Sequence, residues 1–296
     1  QDGTFVSNNG WEGSQSQMSY FGRLNYGFSD RYLASFTFRA DGSSKFGADN
    51  KWGYFPSGSI AWRINNEEFL KNVEVVSNLK LRLSYGSVGN MPSDNYLYGA
   101  SMVTLTTPYG TGYRPARFPN SALKWETTEQ TNLGLDLGLF NGRFDLQVDL
   151  YKKNTKDLLL QISVPSYLGG STWQDIQAPT ANVGKLENKG IDIALNTVNI
   201  RKNNLSWNST FTFSLNRNKV IELNEKDAKF FRPLYWYSEF QTATLTTIGQ
   251  PLGVFYGYIM EGVFTSADDI ANHAVQIKDP NNPTLNFINE KQGVWQ

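Results

Sequence analysis

Few residues of this chain are spaced for bond-making chemistry. Glu126 with Glu129, and Asp268 with Asp269, come nearest to the two-carboxylate arrangement of a glycoside hydrolase. In an extended strand Glu126 and Glu129 have opposite parity, so their side chains leave opposite faces and do not converge on one bond. The one histidine, His273, lies in Ala-Asn-His-Ala, and no Gly-x-Ser-x-Gly elbow supplies it with a nucleophile. With no cysteine, the chain has no thiolate nucleophile, no disulfide scaffold and no zinc ribbon, and a single histidine excludes multi-histidine metal sites. No catalytic residue, metal ligand or cofactor is therefore assigned, and the chain is not expected to be an enzyme.

Binding chemistry is better represented. Tyr109, Tyr113, Tyr167, Trp173, Tyr235, Trp236 and Tyr237 fall in polar connecting segments, where exposed rings offer stacking surfaces to sugars or peptides. Packing against neighbouring loops or a covering protein is the competing role for the same rings. Charge points to no further partner: 27 basic and 27 acidic residues cancel, leaving no overall electrostatic footprint for nucleic acid or for an anionic membrane surface. No apolar run is long enough for a transmembrane helix, and no signal peptide is recognisable.

These residues hang on strands. Met18, Tyr20, Gly22, Leu24, Tyr26 and Phe28 share one parity, with Gln17, Ser19, Arg23 and Asn25 on the other. The alternation recurs at Tyr32–Phe38, Pro56–Ile64, Leu79–Tyr85, Leu133–Leu139, Phe144–Leu150, Ile191–Leu195 and Leu205–Leu215. Ser29-Asp30 and Asn141-Gly142 read as hairpin turns, the latter because a type I′ turn needs positive φ at both central residues. Short helical turns are expected at 66–70 and 265–271. About eight strands result, many near the length a tilted membrane-crossing strand needs.

One-sided alternation also fits a soluble, secreted β-sandwich acting as a binding module or adhesin, and that alternative stays open on periodicity alone. Connection lengths favour a barrel. The links at 29–30, 65–77, 141–142 and 199–204 are mostly short, and those at 41–53, 89–125 and 154–182 mostly long, with 65–77 and 41–53 nearly tied. A transmembrane barrel segregates short periplasmic turns from long extracellular loops in this way. Tyr26, Phe28, Tyr32, Tyr54, Phe55, Tyr85, Phe140 and Phe144 lie near strand ends, as interfacial girdles do. The polar parity then lines the lumen with Arg23, Arg39, Arg82, Asp136, Asp145, Gln147, Asp149, Asp192, Asn208 and Asn216.

The stretches FGRLNYGFSDRYLASFTFRADGSSKFG (21–47), YFPSGSIAWRINNEEFLK (54–71), LKLRLSYGSVGN (79–90), LKWETTEQTNLGLDLGLFNGRFDLQVDLYKKNTKDLLL (123–160), VGKLENKGIDIAL (183–195) and IGQPLGVFYGYIMEGVF (248–264) resemble the SusC/RagA family of TonB-linked outer-membrane transporters of Bacteroidetes. The resemblance implies an all-β, antiparallel transmembrane barrel segment, about eight strands of a plugged barrel of about 22 strands. On this reading 1–218 holds the strands with their extracellular loops and 219–296 is a long extracellular loop region. The plug domain, the TonB box and the C-terminal strands of the family pattern are not found here. The resemblance also implies a bacterial outer-membrane location, import of oligosaccharides or peptides, a SusD-like surface lipoprotein as partner, and a TonB complex engaged through the plug. These residues alone are expected neither to insert as a stable transporter nor to bind TonB.

Overall fold

A computed structural model describes residues 13–162, 176–236 and 239–257, together with Val263, Thr265, Ser266 and Asp268. Residues 1–255 form one compact unit and 256–296 another, and the second is described only at Tyr256, Gly257 and those four positions. In chain order the strands are β1 (Gln17–Phe28), β2 (Tyr32–Ser43), β3 (Trp52–Arg63), β4 (Val76–Asn90), β5 (Ser101–Thr107), β6 (Gly110–Arg117), β7 (Glu126–Leu139), β8 (Phe144–Lys156), β9 (Leu159–Gln161), β10 (Thr180–Asn182), β11 (Lys185–Lys202), β12 (Leu205–Glu222), β13 (Lys229–Trp236), β14 (Glu239–Thr247) and β15 (Val254–Phe255). Eight of them, β1-β2-β3-β4-β7-β8-β11-β12, form one antiparallel meander. No helix among the described residues is long and apolar enough to cross a membrane.

Register turns the alternation into continuous rows. One row of directly paired residues runs Tyr26, Ala34, Ile60, Leu83, Leu133, Leu150, Ile191, Leu215 across all eight strands, and the next runs Phe28, Tyr32, Trp62, Leu81, Leu135, Val148, Ile193, Phe213. The opposite face carries rows such as Asn25, Ser35, Ser59, Ser84, Asn132, Tyr151, Gly190, Asn216. Burial is inverted relative to a protein folded for water. Leu133 and Leu150 are 43% and 46% exposed, whereas Asp136, on the polar face of β7, is 7% exposed, and its neighbours Gly134 and Gly138 are buried too. A sandwich would cover the apolar face with a second sheet; here nothing in the described chain covers it, as expected of a surface that faces lipid.

The turns form as their residues dictate. Ser29 and Asp30 have φ of 53° and 50°, and Arg31 N donates to Phe28 O at 3.0 Å. Asn141 and Gly142, at φ 55° and 76°, are closed by Arg143 N donating to Phe140 O at 3.3 Å. The link 64–75 shares their rim, tied to β2 by Arg63 N donating to Arg31 O at 2.7 Å and to the next turn by Phe140 N donating to Val75 O at 2.8 Å. It is longer than the opposite-rim link 44–51, so length alone misorders that pair and strand order decides it. The expected helical turn at 66–70 is instead a 3-10 turn at Ile64–Asn66 followed by successive i to i+3 bonds, Leu70 N to Glu67 O and Val73 N to Leu70 O.

Strands run past the apolar segments that mark them in sequence. β11 and β12 have 18 residues each; at ~3.3 Å per residue and a tilt of ~40° such a strand rises ~45 Å, against a lipid-facing band of ~25 Å. Above the band both faces meet water, so the period-two signal disappears while the hydrogen-bond ladder continues. Phe55 is a correction: it lies on the polar parity, 5% exposed, and packs inward rather than in an interfacial girdle.

At the short-turn rim Glu67 is a hub. It accepts from Trp62 Nε1 at 2.9 Å, Tyr32 Oη at 2.8 Å and Arg31 Nη1 at 3.2 Å, and these bonds, the Trp62 donor foremost, hold its carboxyl below the usual range. A depressed carboxylate stabilises the fold above its unfolded pKa of about 4.3 and loses that contribution as pH falls through the folded value. The melting-temperature gap between the full-length protein and its Glu67→Gln variant should therefore be constant near neutrality and shrink below about pH 4; a gap that widens in acid contradicts this. For the face assignment, Leu135→Lys should cost about 2–4 kcal/mol in lipid refolding, against about 0–1 kcal/mol for Gln147→Lys on the polar face. Equal costs would overturn the assignment.

Candidate functional site

The polar face of the sheet and the loops at its long-link rim together form the site. On the polar face, Arg82 of β4 reaches along and across β7. Its Nε and Nη2 donate to Asp136 at 2.8–3.1 Å, Nη2 also meets Asp149 of β8 at 3.1 Å, and Lys80 Nζ adds a 2.8 Å bond to Asp136. Asn132 Nδ2 donates to Asp149 Oδ1 at 2.8 Å. The crossing depends on Gly134, where a Cβ would stand 2.6 Å from both Arg82 Cζ and Asp149 Oδ1. Nearer β1, Arg23 Nε donates to Thr37 Oγ1 at 2.9 Å and Arg39 pairs with Asp41 at 2.7 Å. On β11 and β12, Asp192 accepts from Ser214 Oγ. Opposite charges thus satisfy one another across the polar face. Glu126 and Glu129 serve separately, the first accepting from Leu159 N at 3.1 Å and the second from Lys156 Nζ at 2.8 Å.

The rim is built around an aromatic cluster. Phe46, Phe55, Leu97, Leu123 and Trp125 are all buried, with Trp125 stacked obliquely on Phe46 at 4.9 Å and edge-on to Phe55 at 5.6 Å. Gly53 and Gly89 flank Phe55, and a Cβ at either would lie within 2.5 Å of its ring. The buried Lys45 ammonium donates to Pro92 O at 2.7 Å and Ser93 O at 2.6 Å, fastening one loop to the next. Asn182 does the same further round, bonding Lys124 O at 2.7 Å and Asp157 O at 3.0 Å. Sequence patterning had missed this cluster, yet the signal exists: Phe55 breaks alternation between Tyr54 and Pro56, and Trp125 stands immediately before the polar start of β7.

Of the ring residues expected to bind, Tyr109 and Tyr113 share the β5–β6 hairpin that the 89–125 link contains, Tyr109 fully exposed at its tip and Tyr113 69% exposed. Tyr235 and Trp236 lie in β13, whose backbone pairs them with Phe240 and Glu239; their side chains are outside the described set. Tyr167, Trp173, Tyr237 and His273 lie outside the described residues. Among the described residues no cluster of three or more metal-ligating side chains occurs.

Comparison with known proteins supplies the wider frame. The family described as TonB dependent receptor-like, beta-barrel matches residues 1–276. The chain is 37% identical over 251 residues to the TonB-dependent receptor P3 of Formosa agariphila, covering 83% of this chain and 24% of that protein. It is 40% identical over 219 residues to the TonB-dependent receptor SusC of Bacteroides thetaiotaomicron, covering 71% and 21% respectively. Among solved structures, the RagAB peptide importer in its closed-closed state superposes with a TM-score of 0.72 at 30% identity, over 81% of this chain and 25% of that one. The chain thus spans about a quarter of the length of such relatives.

The Arg82 crossing yields a coupling test. Gly134→Ala should destabilise the complete receptor by about 1–3 kcal/mol, since the added methyl displaces the guanidinium, and by well under half of that in an Arg82→Ala background. Thermal melts of the four proteins of this cycle measure the coupling; additive losses would show that Gly134 is not there for Arg82.

Proposed function

Since this chain belongs to the TonB-dependent receptor-like β-barrel family of the bacterial outer membrane, we propose that it supplies eight consecutive strands of an importer barrel for oligosaccharides or peptides. The observation that carries this reading is the inversion of the sheet: an apolar surface without cover on one side, and on the other a polar face of paired charges that suits the wall of a wet lumen. The proposed whole is larger than the sheet. Among the described residues β1 pairs only with β2 and β12 only with β11, and an open edge in hydrocarbon costs several kcal/mol per unbonded backbone group. The edges are satisfied by further strands, in keeping with relatives about four times as long.

In this proposal the loops 44–51, 91–125 and 157–184, and the segment 223–255, belong to the extracellular rim, where substrate first meets the protein. Tyr109 and Tyr113 are its substrate-stacking residues, or the seat of a SusD-like surface lipoprotein. Support for that partner comes from the similarity to SusC and to the RagAB peptide importer. Energy comes through a plug and a TonB complex. The chain is not an enzyme; paired acids and a polar wall are suited to passage, not to bond cleavage.

Topology and uptake are tested together. In intact cells expressing the complete receptor, a membrane-impermeant maleimide should label Gly112→Cys and reach Asn141→Cys only after lysis; labelling at Asn141 alone inverts the orientation. Tyr109→Ala with Tyr113→Ala should raise the half-saturating substrate concentration by about tenfold without lowering surface labelling. Unchanged uptake across an oligosaccharide and peptide panel removes these two rings from the substrate path.

A further inference from the structure

One row of the lipid-facing surface changes character halfway across the sheet. Directly above the row containing Leu133, Leu150, Ile191 and Leu215, paired positions run Leu24, Phe36, Gly58 and Tyr85 on β1 to β4, then Thr131, Lys152, Lys189 and Arg217 on β7 to β12. Strand tilt explains the change, because a hydrogen-bonded row climbs through the membrane and leaves the hydrocarbon between β4 and β7. It does not explain three cations side by side. Lys152 is directly opposite Lys189, and Lys189 directly opposite Arg217, a pairing that is unfavourable without a counter-charge.

The chain supplies too few counter-charges. Glu187 alone serves two of the three, at 2.7 Å from Lys152 and 3.6 Å from Lys189. Arg217 forms no ion pair with a carboxylate among the described residues, and Lys219, two residues higher on the same face, stands opposite Glu187 in register without an ion pair to it. Farther along β8 and β11 two cations are matched, Lys156 with Glu129 and Lys185 with Glu222. The unmatched row borders an open groove whose floor is Leu133, Leu150, Ile191 and Leu215 and whose upper edge is Lys152, Lys189 and Arg217. A groove that is apolar below and triply cationic above, at the level where hydrocarbon gives way to headgroups, is shaped for an amphiphile with acyl chains and a phosphate next to them.

We infer that Lys152, Lys189 and Arg217 bind the phosphate of an outer-leaflet lipid, of the phosphorylated glycolipid class of which lipid A is the simplest member. Arg217 contributes a planar fork to two phosphate oxygens and the lysines act as point charges. Glu187 spaces the lysines apart and keeps their ammonium groups at the groove edge. The inference rests on the apolar face meeting lipid, as proposed above, and extends it to a specific lipid seat on the outside of the barrel.

The test uses the complete receptor in detergent micelles with fluorescent diphosphorylated lipid A as probe. At roughly fivefold per cation near a membrane surface, Lys152→Gln, Lys189→Gln and Arg217→Gln together should weaken binding by roughly a hundredfold. Lipid A stripped of its phosphates should bind the unaltered receptor as weakly, and excess inorganic phosphate should not displace the probe. Lys152→Arg with Lys189→Arg retains the charge and should retain affinity. Lys153→Gln, the adjacent residue on the polar face, should change affinity by less than twofold. The inference is overturned if the triple variant binds as the unaltered receptor does, if the phosphate-free lipid binds equally well, or if inorganic phosphate displaces the probe. Should Lys153→Gln abolish binding while the triple variant binds normally, it is the face assignment under the proposed function that fails. Variant folding is checked by the heat-dependent shift in gel migration that intact barrels show.

Discussion

Everything in this structure depends on one ladder of backbone hydrogen bonds from β1 to β12, whose register shifts at Val76/Asn78, Lys185/Leu186 and Val198/Ile200 lie outside the apolar rows. In hydrocarbon no water is available to a stray N–H or C=O, so a spanning sheet must bond every group to its neighbours. Once that ladder is formed, the two-residue period of each strand is locked to that of the next, and a slip of one position would send a whole strand's apolar side chains into the lumen. The uninterrupted rows from Tyr26 to Leu215 and from Phe28 to Phe213 are the product of that locking. They make a continuous greasy wall from residues that, in any one strand, look unremarkable.

The polar face answers a different demand. Charges crowded onto one face of a sheet are stable where each finds a partner within reach. Arg82 bonding Asp136 and Asp149 across Gly134 shows how this is done: a missing side chain on the middle strand lets a long one span two inter-strand gaps. The rim solves a third problem, which is to hold long loops in place without a sheet beneath them. Its solution is a small apolar cluster around Trp125, braced by the Lys45 ammonium and the Asn182 amide. Band, wall and rim together suit the proposed importer barrel, with lipid outside, solute inside and binding groups above.

How much of this was legible in the sequence follows from where the period-two signal survives. All eight strands of the main sheet were marked by alternation, and Ser29-Asp30 and Asn141-Gly142 by turn chemistry, because within the membrane band one face must be apolar. Above the band the signal fades: β4, β7, β8, β11 and β12 continue for several residues as polar ladders that composition cannot distinguish from loops. For the same reason the β5–β6 hairpin and the β13–β15 sheet were hidden inside segments read as plain connections. Phe55 looks like a girdle residue by its nearness to a strand end, but its parity puts it on the polar face, where it packs inward. Glu67 gave no signal, since its three donors come from positions 31, 32 and 62 and only the folded rim brings them together. Of the ring residues proposed to bind, Tyr109 and Tyr113 are seen exposed, Tyr235 and Trp236 are placed by the backbone of β13, and Tyr167, Trp173 and Tyr237 lie outside the described residues.

The central claim is that the apolar parity of each strand faces lipid and the polar parity faces a water-filled lumen. Its most direct test is a nitroxide scan of β8 in the complete receptor, reconstituted in a bilayer, with collision rates measured against oxygen and a water-soluble nickel chelate. The account predicts two curves of period two in antiphase: oxygen maxima at Leu146, Val148 and Leu150, and nickel maxima at Asp145, Gln147 and Asp149. Curves with the phases exchanged, or nickel access at every position, would contradict it.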